Sequence, residues 1–155
     1  MPEFTSAYFK KIEYREEDVF EFPAGLPGFE QERAFLPLEL PGARPLVLFQ
    51  SLRTPGLCFL TLPVLSVDAD YKLDAAPEDL ALIGLPEGGR PRIGADVLCV
   101  AIVSVAEDRP ATVNLLAPLV VNLATRRGVQ AIQAGSGYSH QHELPVPEPE
   151  AAACS

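Results

Sequence analysis

Two histidines near the C-terminal end of the chain have the types and spacing that come closest to a metal site. His140 and His142 alternate along the sequence, so both rings would point to one face of a strand and could begin a zinc site. Further ligands are missing, because the sequence has no C-x-x-C motif and Cys154 lies far beyond the pair. We interpret the two rings as solvent-exposed side chains and predict no metal and no cofactor.

Nucleophilic catalysis has no complete motif in the sequence. Ser139 stands directly before a histidine, but no G-x-S-x-G elbow surrounds it. Cys58 and Cys99 lie in apolar runs without basic neighbours that would lower the pKa of a thiol. Both cysteines are therefore predicted to be packing residues.

Runs of carboxylates are the remaining chemically capable groups. Asp68 and Asp70 have the spacing that opens a calcium loop, yet the third ligand, the glycine and the distal glutamate do not follow. Glu16, Glu17 and Asp18 form a second run, and nothing in the sequence marks an enclosing pocket around either run. Such runs are typical of a solvated surface, so we predict that the protein is not an enzyme.

The overall charge argues against nucleic acid as a direct partner. The chain has 12 lysines and arginines against 21 acidic residues, a net charge of −9, whereas phosphate-backbone binding needs clustered basic residues. An acidic surface favours basic partners, although simple solubility explains the same charge. We predict no direct nucleic-acid binding.

The sequence also predicts no attachment to a membrane. No window approaches the ~20 consecutive apolar residues of a spanning helix. The first residues lack the basic-then-apolar order of a secretory signal, and three cysteines do not make a disulfide framework. We expect a cytoplasmic protein.

The elements that must position these groups are predicted to be short strands separated by turns rich in proline and glycine. A short helix is expected after Pro77, and Pro37 places its strand at a sheet edge or bulge. This pattern predicts a mainly β fold, a small antiparallel β-barrel-like domain with one short helix at residues 1–144. Residues beyond 134 turn polar and are expected to be mostly disordered, with a flexible tail rich in Pro, Glu and Ala at 145–155. Strands are predicted near residues 19–22, 34–40, 46–52, 57–62, 96–105, 112–114, 119–123 and 129–134.

The stretch FEFPAGLPGFE at residues 20–30 combines turn residues with core anchors. Its prolines fix φ and its glycines permit backbone angles that a Cβ would forbid. The chain should therefore leave a strand at Phe22, turn, and return to the core at Phe29.

Four strings in this sequence resemble the flagellar assembly factor FliW family. They are FEFPAGLPGFE at 20–30, LFQSL at 48–52, ADYKL at 69–73 and ATVNLLAPLVVNLATRRGVQ at 111–130. The resemblance implies a non-enzymatic protein that binds the translational regulator CsrA, relieves its repression of flagellin mRNA, and binds flagellin in exchange. A different reading of the pattern is a β-barrel module that binds a small molecule or a carbohydrate.

Within either reading, individual side chains are candidates for partner contact. Asn114 and Asn122 flank a bend at Pro118, where amides also commonly satisfy backbone groups. Tyr71 stands between acids and is predicted to be either a contact or a core residue. The predicted partner-binding residues are Glu16, Glu17, Asp18, Leu26, Glu30, Asp68, Asp70, Tyr71, Asn114, Asn122 and Arg126.

Overall fold

The described part of the protein is mainly antiparallel β-sheet, as predicted. The computed structural model describes residues 3–5, 11–39, 42–86, 89–133 and 135–144, so the predicted tail at 145–155 lies outside the described residues. The expected helix is α2 (Pro77–Leu82), the acidic run at Glu16–Asp18 forms a 3₁₀ turn, and the sequence analysis missed α1 (Val64–Val67). The strands are β1 (Glu3–Thr5), β2 (Lys11–Glu13), β3 (Phe20–Glu21), β4 (Ala34–Glu39), β5 (Val47–Ser51), β6 (Cys58–Pro63), β7 (Val97–Ala106), β8 (Arg109–Val113), β9 (Leu119–Asn122), β10 (Gly128–Gln130) and β11 (His142–Glu143).

The main sheet follows the order β10-β9-β7-β6-β5-β4-β3, and β7 also pairs with β8, which pairs with β11. Strands β1 and β2 form a separate two-stranded sheet. Between β3 and β10, the two ends of the path, the described residues include an isolated parallel bridge from Glu21 to Arg127. Closure into a barrel is not confirmed, because this bridge does not continue into a ladder.

Strand β7 is the central strand that its long apolar run predicts. Val97, Cys99 and Ala101 point into one core cluster, whereas Val100 points into the other. Successive side chains of a strand alternate between faces, so a strand with a core on both faces must be apolar at every position. This explains a continuous run rather than an alternating one.

Phenylalanines build the second core cluster. The rings of Phe22 and Phe35 meet edge to face at a centroid distance of 5.5 Å and an angle of 82°, and Phe20 lies 5.8 Å from Phe49. A Cβ at Gly128 would stand 2.6 Å from the Phe22 ring, so β10 can lie on this cluster only with glycine at that position.

The segment from Phe22 to Glu30 makes the turn that its glycines and prolines predict, but it returns to the core at a different residue. Leu26 and Phe29 exchange backbone N–H···O=C bonds of 3.2 and 2.7 Å across Pro27 and Gly28, which has φ +84°. Leu26 is 2% exposed and occupies the core, whereas the Phe29 ring packs on the outer side of Phe59 and stays 43% exposed. The prediction that Phe29 is buried was wrong, because the tight turn gives the inward position to Leu26.

Strand β4 becomes a sheet edge at Pro37, in agreement with the prediction. Strand β3 pairs only with Ala34 and Phe35, and from Leu36 onward β4 pairs with β5 alone among the described strands. The Leu52 N–H donates to the Ala34 carbonyl at 3.0 Å. The backbone N–H and C=O groups of Ala34 and of every second residue after it therefore point toward β5. Pro37 falls on the alternate set, and its missing N–H costs no bond to β5.

Residues 135–144 are ordered against the sheet, which corrects the expectation of disorder beyond residue 134. His142 and Glu143 pair with β8, and the Leu115 N–H donates to the Ser139 carbonyl at 3.0 Å. The Tyr138 ring stacks on Tyr71 at a centroid distance of 4.3 Å. One aromatic anchor and a short strand therefore hold a segment whose composition is otherwise polar.

Candidate functional site

The carboxylates of the first acidic run are exposed on the 3₁₀ turn. The side chains of Glu16, Glu17 and Asp18 all project into solvent from this turn, which connects β2 to β3. The Asp18 carboxylate accepts a 3.3 Å hydrogen bond from the Arg15 N–H at the beginning of the turn. The remaining oxygens face outward and are available to a partner.

The second acidic run is only partly available to a partner. The Asp68 carboxylate accepts a 2.9 Å hydrogen bond from the Asp70 N–H and fixes the turn that follows α1. Asp70 is exposed, whereas Asp68 is half-buried. Of the two, Asp70 is therefore the accessible negative charge.

Tyr71 belongs to the core, which decides between its two predicted roles. Its side chain is 5% exposed, and its hydroxyl donates to the Leu115 carbonyl at 2.6 Å while it accepts from the Gln133 amide. Burial raises the pKa of this phenol well above its ordinary value. Tyr71 can affect a partner only through the structure around it.

The two asparagines satisfy backbone groups, as the structural reading predicted. The Asn114 side-chain oxygen accepts from the Ala117 N–H at 3.0 Å. Asn122 is 4% exposed, donates to the Ile83 carbonyl at 2.8 Å and accepts from the Ala124 N–H at 2.9 Å. Asn122 thus joins the segment after α2 to the β9–β10 turn.

Leu26 and Glu30, both in the 22–30 loop, differ in exposure. Leu26 is buried in the phenylalanine cluster, so it has little surface to offer to a partner. The Glu30 carboxylate is exposed and accepts a 2.8 Å hydrogen bond from the Gly28 N–H. Next to it stands the exposed Phe29 ring, which the sequence analysis had assigned to the core.

Arg126 has an unusual backbone conformation. Its φ is +61°, and it is the non-glycine residue with positive φ among the described residues. The Arg126 N–H donates to the Asn122 carbonyl at 2.7 Å and closes the β9–β10 turn, while the Arg126 carbonyl accepts from the Glu21 N–H at 2.8 Å. Glycine and asparagine adopt this left-handed conformation at much lower cost than arginine.

Two of the predicted residues, Asp18 and Arg126, meet in one surface groove of about 380 Å³, which we call the edge groove. It lies where the β9–β10 turn approaches β3 and the edge of β4. The sequence analysis missed the apolar residues of this groove. Leu123, for example, directly follows a buried strand, and nothing in the neighbouring sequence indicates that it is exposed. The lining residues are Glu13, Tyr14, Asp18, Phe20, Leu36, Pro37, Leu38, Leu123 and Arg126.

A second groove of about 460 Å³ lies over β7, β8 and the segment before β11. It contains Asn114, His140 and Glu143 and is bordered by Val105, which is 71% exposed. Neither groove is an enclosed cavity. Within the described ranges, no three His, Cys, Asp or Glu side chains cluster in a way that could hold a metal ion.

Glu32 forms a buried polar centre that the sequence analysis did not single out. It is 6% exposed and accepts hydrogen bonds from the Ser51 hydroxyl, from Thr54 Oγ1 at 2.8 Å and from the Arg53 guanidinium at 3.3 Å. Burial alone would raise the pKa of this carboxyl, but these hydrogen bonds and the Arg53 charge outweigh burial and lower it. The Glu32 carboxylate therefore ties the chain just after the 22–30 loop to the β5–β6 turn.

The two described thiols have no activating environment. Burial raises the pKa of Cys99 to about 12 and also raises the pKa of Cys58. Cys99 is 1% exposed, which confirms its predicted role in packing. Among the described helices, none has the length and apolar character that a membrane span requires.

Comparison with known proteins identifies relatives over nearly the whole chain. A family model described as FliW protein matches residues 3–144. The flagellar assembly factor FliW of Syntrophomonas wolfei is 30% identical over 141 residues, 90% of this chain and 86% of that protein. The corresponding protein of Geobacillus thermodenitrificans is 33% identical over 141 residues, 90% of this chain and 93% of that one. A crystal structure of the flagellar assembly factor FliW is similar with a TM-score of 0.80 and 32% identity, covering 96% of this chain and 99% of that chain.

Proposed function

The chain belongs to the FliW family, and on this premise we propose that it is a non-enzymatic regulator of flagellum assembly with two exchanging protein partners. One partner is the translational regulator CsrA, whose repression of flagellin mRNA the protein relieves. The other is flagellin. Secretion of flagellin frees the protein to bind CsrA, so flagellin synthesis follows filament assembly.

The observation that carries this proposal is the family match across residues 3–144, together with the structural similarity to a flagellar assembly factor. The net charge of −9 supports it, because a protein that binds RNA presents basic residues and attracts an acidic partner. Among the described residues, the two grooves are open surface features, and such shapes favour a protein partner over the alternative, a small-molecule or carbohydrate-binding module.

Exposed carboxylates supply a physical route to RNA release. Glu16, Glu17, Asp18 and Asp70 are exposed. When the protein is bound beside the RNA site of CsrA, these charges repel phosphates over a Debye length of about 8 Å at physiological salt. Repulsion over this distance does not require that the protein cover the RNA site.

Isothermal titration calorimetry with purified CsrA and purified flagellin tests the partners directly. We expect each to bind at micromolar concentration or below, and we expect flagellin to displace CsrA in a competition titration. Absence of heat with both partners would refute the proposal. Simultaneous binding of both partners without competition would refute the exchange.

Charge-neutral variants test the route to RNA release. We expect Glu16→Gln combined with Glu17→Gln to bind CsrA but to release RNA less effectively in an electrophoretic mobility assay. Glu107→Gln combined with Asp108→Asn, in the exposed β7–β8 turn, is the matched control with the same loss of charge. Equal RNA release by both double variants would contradict a local electrostatic mechanism.

A further inference from the structure

We propose that the edge groove is the surface on which CsrA docks, because CsrA is the partner that must present basic residues. It takes an apolar side chain of the partner between Leu38 and Leu123, with neighbouring basic side chains against Glu13 and Asp18. This inference rests on the proposed function and assigns it a place on the molecule.

The groove has an apolar floor and walls that remain accessible. Phe20 and Leu36 form the floor and are 9% and 3% exposed, so their packing in the fold fixes the bottom of the groove. Leu38 is half-buried, and Leu123 is 42% exposed at the wall. A large apolar side chain left this accessible beside an apolar floor gains free energy when a partner removes it from water.

Charge selects the chemistry of the partner. The charged side chains that line the groove are the carboxylates of Glu13 and Asp18 and the guanidinium of Arg126. The rim therefore favours a segment with basic residues next to its apolar anchor, in keeping with the net charge of −9.

The strand edge limits how such a segment binds. Leu36, Pro37 and Leu38 are consecutive in β4 and all line the groove, so the groove follows the edge of the strand rather than one face. Pro37 faces this edge and has no N–H to donate, which disfavours the addition of a partner strand. The partner therefore contributes side chains rather than a backbone ladder.

Arg126 is an independent sign that the groove is functional. Its positive φ of +61° carries a conformational cost that glycine at the same position would avoid. The conformation places the arginine at the rim, where five N–H donors can reach carbonyl groups of a bound segment. This side chain contributes to binding at the expense of stability.

A pair of exposed apolar residues provides the first test. Leu123→Ser removes the anchor of the groove, whereas Ile132→Ser removes a comparably exposed side chain, 56% exposed, that does not line it. We expect Leu123→Ser to weaken binding of CsrA by about 10-fold or more and Ile132→Ser to leave that affinity unchanged. Equal affinities for the two variants would overturn the inference.

Arg126→Gly provides a test in which stability and binding move in opposite directions. We expect its thermal unfolding midpoint to equal or exceed that of the wild type, because glycine relieves the strain, while partner affinity falls. Arg127→Ala, at the neighbouring exposed position, is the control that should retain affinity. A destabilised Arg126→Gly, or one that binds as tightly as the wild type, would contradict the assigned role.

The same titrations separate this inference from the proposed function. If the wild type binds both partners and all groove variants bind equally well, the docking site is wrong and the function stands. If the wild type binds neither partner, the function and its docking site both fall. If light scattering shows a concentration-dependent dimer that Leu123→Ser abolishes, a second copy of the chain occupies the groove and the inference is overturned.

Discussion

Two glycines in the 22–30 loop give a sharp prediction, because they share a backbone conformation but differ in their surroundings. Gly25 has φ +68° and Gly28 has φ +84°. A Cβ on Gly25 would stand 2.5 Å from the Glu30 carbonyl oxygen, whereas a Cβ on Gly28 would meet nothing within 4 Å. Alanine is thus strained at both positions but collides with the backbone at only one of them.

The expected losses of unfolding free energy follow from the backbone strain and from the steric collision. A left-handed backbone conformation destabilises alanine by about 1–2 kcal/mol. Alanine also makes the unfolded chain less flexible than glycine does, which restores about 0.4–1 kcal/mol of stability. Gly28→Ala should therefore lose about 0–1.5 kcal/mol of unfolding free energy. Overpacking adds about 1–3 kcal/mol for Gly25→Ala, since Glu30 must move as backbone rather than as a flexible side chain.

Urea and thermal unfolding followed by circular dichroism measure the difference. Each kcal/mol corresponds to about 2–4 °C in Tm for a chain of this size. Gly28→Ala should stay within about 6 °C of the wild type, and Gly25→Ala should unfold a further 2–12 °C, roughly, below Gly28→Ala. If the two variants unfold together, the close approach of Gly25 to Glu30 does not hold the loop. If folded Gly28→Ala loses partner binding, the exposed tip of the loop is a contact surface.

Three further variants probe contacts that only the tertiary structure creates. Gly128→Ala should lose about 1–3 kcal/mol in urea unfolding, because its Cβ would displace the buried Phe22 ring; wild-type stability would show that β10 can move away from the ring. Asn122→Ala should lose about 1–3 kcal/mol in the same assay by leaving the Ile83 carbonyl and the Ala124 N–H unpaired, and unchanged unfolding with weaker partner binding would instead assign Asn122 to an interface. Glu32→Gln should be less stable than the wild type at pH 7. Because folding lowers the Glu32 pKa from the ordinary 4.5, the wild-type advantage should shrink as pH falls below that value and through the lower folded pKa; a difference independent of pH would exclude a contribution from the charged carboxylate.

The sequence predicted the elements whose causes are local. The apolar run of β7 predicted a central strand, and the segment after Pro77 predicted a short helix with proline in its first turn. Strands β5 and β6 formed in the predicted ranges 46–52 and 57–62 and pair as a hairpin, with Gln50 opposite Cys58. Propensity, turn chemistry and side-chain alternation act over a few residues, so the order of residues records them.

Tertiary structure decided which side chains face the core and which face a partner. The sequence placed Phe29 inside, but the turn across Pro27 and Gly28 exchanged its position with that of Leu26. Residues 135–144 looked disordered by composition, but Tyr138 holds them through its stack on Tyr71. The first outcome depends on a tight turn together with packing of Leu26 in the phenylalanine cluster, and the second on a contact between segments that are distant along the chain.

The edge groove shows the same limit for the candidate site. Asp18 and Arg126 were each singled out from the sequence, but their proximity depends on how β3, β4 and the β9–β10 turn assemble. The left-handed conformation of Arg126 could not be predicted from the string TRRG, because the glycine in that string is residue 128 and not residue 126. Glycine is required at 128 by the Phe22 ring that packs against it. The sequence therefore determined the family and most of the strands, whereas packing between distant segments determined the surface available to a partner.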